Sequence, residues 1–79
     1  MKDDAIQVGL LGLGTVGSGV AQALQTKAAS IARRVGRPVV LRRALVRDLA
    51  RERVVPRTLL TDDPAEILED PTIDIVVEL

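Results

Sequence analysis

Gly12, Gly14 and Gly17, in the run GLGTVG, stand at the G-x-G-x-x-G spacing that lets a backbone turn close around a pyrophosphate. Gly12 permits the tight turn, and Gly14 lets the main chain approach a phosphate with no Cβ in the way. Gly17 permits close packing of a helix on a strand. The phosphate charge is then met by the backbone N–H groups near Leu13, Thr15 and Val16, which open a helix without partners inside it and lie at the positive end of its dipole. The loop of nucleoside triphosphatases is disfavoured, because Gly17 is followed by Ser18 and the GK[ST] ending is missing. The pattern is common on its own, and a glycine turn that binds nothing is the plain alternative. A preceding strand and a following helix are what give it weight.

The next place with chemical content is Val46-Arg47-Asp48, where a second strand ends. In this position an acidic residue accepts hydrogen bonds from the adenosine ribose of NAD, whereas an arginine accommodates the 2′-phosphate of NADP. Arg47 comes first, with Arg51 and Arg53 close behind, so NADP is favoured over NAD and use of both stays open. Asp48 suits a cap on the turn that follows. Arg51 and Arg53 fit a solvated face equally well. The run Asp62, Asp63, Glu66, Glu69 and Asp70 reads as helix capping and surface, with no metal-ligand arrangement. No catalytic residue is assigned: the chain has no His, Cys, Phe, Tyr or Trp, hence no imidazole base, thiol nucleophile or stacking aromatic.

These residues need a strand, a helix and a second strand to hold them. Ala5, Ile6, Val8, Leu10 and Leu11 form an apolar stretch ending at Gly12, as a strand covered on both faces would. From Thr15 the period changes, and Val16, Val20, Leu24, Ala28, Ile31 and Val35 recur at helical spacing, predicting one long amphipathic helix. Gly36 sits where a left-handed cap is wanted, and Pro38 forbids continuation. Residues 39–46 read as strand two, interrupted by Arg42 and Arg43, which strand alternation would point to opposite faces. Residues 47–57 read as a turn or short helix, and Thr58 to Thr61 as a brief strand. Asp63 as cap, Pro64 at the first helical position and Glu66 closing a capping box then start a short helix. Asp70 and Pro71 end it, and residues 73–79 alternate as a last strand. The order β-α-β-β-α-β implies an α/β fold with a parallel sheet.

Composition agrees with a folded domain: 47% hydrophobic and 28% charged among 79 residues. Net charge is zero, but residues 33–57 carry nine arginines against Asp48 and Glu52, and residues 58–79 carry seven carboxylates and no cation. Nucleic acid is not expected as a partner, since the basic stretch lacks interleaved aromatics. A membrane is not expected either, for no apolar run nears the ~18 residues of a span. The residues 8–16 are not a leader core, being preceded by Asp3 and Asp4 and broken by glycines, so a cytoplasmic protein is expected. With no disulfide or zinc to staple so small a chain, further chain or a partner is the expected source of stability.

Three segments, VGLLGLGTVGSGV (8–20), ALVRD (44–48) and DDPAEILEDPTIDIVVEL (62–79), resemble the opening of homoserine dehydrogenases and cover most of the chain in the right order. The resemblance implies a Rossmann-like parallel sheet, incomplete, with residues 1–79 as the N-terminal part of a dinucleotide-binding domain and no substrate or catalytic domain within them. It implies hydride transfer between homoserine and aspartate 4-semialdehyde with NAD or NADP, on the route to threonine and methionine. It places Gly12 through Gly17 on the cofactor pyrophosphate and Arg47 near the adenosine ribose. The family's catalytic lysine and substrate carboxylates belong to a later domain, and a second glycine-rich loop usually follows VVEL, so residues 1–79 alone are expected to be inactive. The remainder of its own chain and a homo-oligomer are the implied protein partners. A non-catalytic nucleotide-sensing module and, more remotely, a methyltransferase share the glycine turn and are the competing classes.

Overall fold

The computed structural model describes residues 5–49 and 55–78. In chain order they form β1 (Ile6–Leu11), α1 (Thr15–Thr26), α2 (Ala28–Val35), β2 (Val39–Leu45), a 3-10 turn (Arg57–Leu59), β3 (Leu60–Thr61), α3 (Ala65–Leu68) and β4 (Ile75–Glu78). The strands make one parallel sheet in the order β3-β2-β1-β4. The α/β architecture expected from the sequence is therefore present. The chain builds outward from β1 to β3, then returns to the other side of β1 for β4. That reversal at β1 is the topological switch point where open parallel sheets place ligands.

The single long helix expected from Thr15 to Val35 is two helices. Lys27 leaves helical geometry at φ −117°, ψ 28°. Thr26 Oγ1 donates to the Gln22 carbonyl at 2.9 Å, and such back-bonding to the preceding turn bends helices. The bend keeps its backbone bonds, for Lys27 N donates to Ala23 O at 2.9 Å and Ile31 N donates to Lys27 O at 3.0 Å. Of the expected stripe in α1, Val20 and Leu24 pack on the core, but Val16 does not. Val16 is 67% exposed, while Gly17 and Ala21 are buried. Two small residues one turn apart let the helix axis come close to the sheet. Gly36 ends α2 as expected: its φ of 89° is left-handed, and its N–H reaches Ala32 O at 2.8 Å.

One face of the sheet holds the main core, Val8 and Leu10 of β1, Leu41 and Ala44 of β2 and Leu60 of β3, together with Ala21 of α1. On the other face Gly9 lies under Ile67 of α3, which is 1% exposed. The expectation that Arg42 and Arg43 face opposite sides is overturned by a bulge. Val8 pairs with Leu41 but Gly9 pairs with Arg43, so Arg42 is an extra residue in β2. A bulge re-aims the side chain that follows it. Without it Arg43 would enter the core face; with it, Arg43 sits over the α3 face and Ala44 takes the core position opposite Leu10. Both arginines then meet carboxylates of one segment, Arg43 with Glu66 at 3.6 Å and Arg42 with Asp70 at 3.5 Å.

Asp63 does cap α3, its Oδ1 accepting from Ala65 N at 3.0 Å. The expected capping box does not close: Glu66 turns to Arg43, and Asp63 N donates instead to Thr61 Oγ1 at 3.1 Å. The brief strand expected over 58–61 is reduced to Leu60–Thr61, because residues 57–59 take the 3-10 turn. The last strand starts at Ile75 rather than 73, since Ile73 packs under α3 against the Gly9 site. Asp74 anchors the strand's entry: its N–H donates to Gln7 O and its Oδ2 accepts from Gln7 N, each at 2.8 Å.

The Asp70 carboxyl sits below the usual carboxylate range because Thr72 donates to it from both hydroxyl (2.6 Å) and backbone (2.8 Å), with Arg42 adding attraction. A depressed folded-state value contributes stability above the unfolded value, and that contribution is lost as pH falls through the folded value. On acidification wild type should therefore lose this contribution, a loss absent from a chain with no carboxylate at this position. Asp70→Asn is expected to lower stability at neutral pH and to flatten its decline below about pH 4. Thermal unfolding of both forms from pH 7 to pH 3 checks this; parallel curves would show the charge has no such role.

Candidate functional site

The glycine turn stands directly between β1 and α1, the context its pattern requires. Gly12 has φ 130°, a conformation that side-chain-bearing residues rarely adopt, and so makes the turn. Gly14 is the N-cap of α1 at φ −71°, ψ −160°. A Cβ built on Gly14 meets no atom within 4 Å, so the space above the turn is open. No side chain caps the helix, and its first turn has no acidic residue. The amides at the start of α1 are thus left facing outward with a positive helix end behind them. The first intrahelical bond, from Ser18 N to Gly14 O at 2.8 Å, fixes the turn, and Ser18 Oγ braces it by donating to Leu13 O at 3.0 Å. Gly17 is buried, consistent with its expected packing role. Val16 lies exposed at the same end.

This turn is one wall of a cleft of about 790 Å³ at the carboxyl edge of the sheet. Leu11 through Gly14 line it after β1, Leu45 through Asp48 after β2, and Asp62 and Pro64 after β3. The volume lies within the ~300–1,000 Å³ of small-molecule sites. Of the residues singled out in the sequence, Gly12, Leu13, Gly14 and Arg47 line this cleft together. Thr15, Val16 and Gly17 continue the turn into α1. Arg51 and Arg53 lie outside the described residues. In the sequence Asp62 and Pro64 read as surface and capping; their place in the cleft follows from strand order, for β3 ends beside β2 and whatever follows it borders the same crevice. Among the described residues no group of His, Cys, Asp or Glu is placed to hold a metal, and no helix is long and apolar enough to cross a membrane.

The family model described as homoserine dehydrogenase, NAD binding domain, matches residues 12–79. The chain belongs to this family. Among homoserine dehydrogenases, it is 44% identical over 77 residues to that of Bacillus subtilis, covering 95% of this chain and 18% of that protein. It is 49% identical over 76 residues to that of Methylobacillus glycogenes, covering 94% and 18%. The solved structure of S. aureus homoserine dehydrogenase at pH 8.5 superposes with a TM-score of 0.83 at 37% identity, over 98% of this chain and 20% of that one. That of Thiobacillus denitrificans gives 0.82 at 48% identity, over 94% and 17%. The chain therefore spans about a fifth, or less, of these homoserine dehydrogenases.

The residues present fit the nicotinamide dinucleotide for which this domain of the homoserine dehydrogenase family is described. The turn offers uncapped amides and an open approach at Gly14, and the cleft runs on past a cation at Arg47.

Proposed function

We propose that the protein is a homoserine dehydrogenase that interconverts L-homoserine and L-aspartate 4-semialdehyde, serving threonine and methionine synthesis, with NADP favoured over NAD. Residues 1–79 supply the pyrophosphate and adenosine half of the cofactor site, and the substrate and proton-transfer groups lie in the rest of the protein. The observation that carries this reading is that the glycine turn and Arg47 border one cleft at the switch point of a parallel sheet. When bound, the nicotinamide ring carries the hydride. The chain's own part is to hold the anion on the amides after Gly14 and to place a guanidinium beside the ribose, where a 2′-phosphate is met by charge-assisted contacts.

Fluorescence titration of the full-length protein with NADPH and NADH tests the reading. NADPH should bind at least as tightly as NADH. Arg47→Ser should weaken NADPH about tenfold, the scale of one charged hydrogen bond, and leave NADH nearly unchanged. Clear preference for NADH in wild type, or equal losses for both cofactors in the variant, would remove Arg47 from this role.

A further inference from the structure

The cleft contains a carboxylate that the pyrophosphate and ribose assignments leave unused. Asp62 directly follows β3 and lines the cleft with Pro64, two strands away from the glycine turn. Its neighbour Asp63 is committed to capping α3. Asp62 is exposed and has no hydrogen bond or ion pair among the described residues.

We propose that Asp62 reads the purine base, its carboxylate accepting a hydrogen bond from the exocyclic amine of adenine; this rests on the cofactor reading above. The covalent order of the ligand makes the argument. A dinucleotide runs from pyrophosphate through ribose to base, and the cleft presents its walls in a matching order along the sheet. The turn after β1 takes the pyrophosphate. Arg47 and Asp48, after β2, line the next wall, where the cofactor reading puts the ribose. Strands lie ~4.8 Å apart, so the end of β3 stands about 10 Å from that of β1, on the side to which the adenosine extends. The base therefore falls against the β3 wall, where Pro64 offers an apolar surface and Asp62 an acceptor. An ionised carboxylate accepts and never donates. It suits an amine and repels a carbonyl, which gives the site a means of choosing adenine over a 6-oxopurine.

The Arg43–Glu66 and Arg42–Asp70 pairs join β2 to the α3 segment that follows this wall.

The test compares NADPH with its hypoxanthine analogue, in which a carbonyl replaces the amine, by fluorescence titration of the full-length protein. Wild type should bind NADPH about tenfold more tightly than the analogue. Asp62→Ala should lower NADPH affinity to near that of the analogue. Asp62→Asn, whose amide both donates and accepts, should bind the analogue more tightly than wild type does, a gain no misfolded variant can give. Equal affinities in wild type, or a gap undiminished in Asp62→Ala, would overturn the proposal while leaving the cofactor reading intact. Should Asp62→Ala bind neither ligand, the Asn variant decides: no gain for the analogue there counts against the proposal. Wild type that binds neither ligand would overturn the cofactor reading and this one with it.

Discussion

Gly14→Val is expected to weaken dinucleotide binding about a hundredfold or more while shifting the unfolding temperature by only a few degrees. The two outcomes separate because of what surrounds Gly14. Its backbone is already in the extended region that valine accepts, and an added Cβ meets no atom of the protein within 4 Å. The folded chain should lose about 1 kcal/mol or less, the difference between glycine and valine at a helix N-cap. A ligand phosphate sees a different surface. Two or three amide-to-anion hydrogen bonds need the backbone bare at this point, and each is worth about 1.5–3 kcal/mol when the acceptor is charged. Losing the equivalent of two of them exceeds the ~2.8 kcal/mol that corresponds to a hundredfold change. Gly12→Val is the contrasting case. Gly12 has equally open space but φ 130°, so the substitution strains the fold itself by about 1–3 kcal/mol and should lower both stability and affinity. NADPH titration and thermal unfolding of the two variants would expose the difference. A Gly14→Val protein that binds normally would remove the turn from the pyrophosphate site.

The features legible in the sequence are those fixed by near neighbours along the chain. The strand before Gly12, the left-handed cap at Gly36 and the Asp63 cap each depend on residues within a turn of one another, and each is present. The bulge at Arg42 is not of that kind. It is rewarded by carboxylates at positions 66 and 70, more than twenty residues later, and alternation along β2 alone predicts a misplaced arginine. The bend at Lys27 escaped for a related reason. Hydrophobic spacing continues smoothly through it, while the hydrogen bond that bends the helix comes from the polar side of Thr26, which a periodicity reading ignores. Half of the cleft was visible as a motif, because a glycine turn has its own pattern. The other wall was hidden, since Asp62 and Pro64 acquire their position from the sheet order β3-β2-β1 and from nothing in their own spacing.

Gly9 illustrates the same distinction and gives the sharpest test of how α3 is seated. In the strand pattern it is an unremarked position between Val8 and Leu10. In the fold, a Cβ there would stand 2.7 Å from Ile67 Cγ2 and 3.2 Å from Ile73 Cδ1, inside contact distance of a side chain that is 1% exposed. Ile67 cannot simply swing away, because its Cγ2 is attached at the branched Cβ and the rest of the side chain is enclosed. Gly9→Ala should therefore overpack the face and cost about 1–3 kcal/mol. Ile67→Ala opens a cavity at the same place and should cost about 2–5 kcal/mol. The two defects are complementary in volume, since the methyl added on β1 occupies space vacated on α3. The double variant should then be more stable than the sum of the single losses predicts, by about 1 kcal/mol or more, beyond the ~0.3–0.5 kcal/mol scatter of independent sites. Denaturant unfolding of the full-length protein and the three variants measures this directly. Additive losses would mean that α3 shifts as a body to admit the methyl. The Asp62–Pro64 wall, which leads directly into α3, would shift with it, and cofactor affinity would fall in Gly9→Ala.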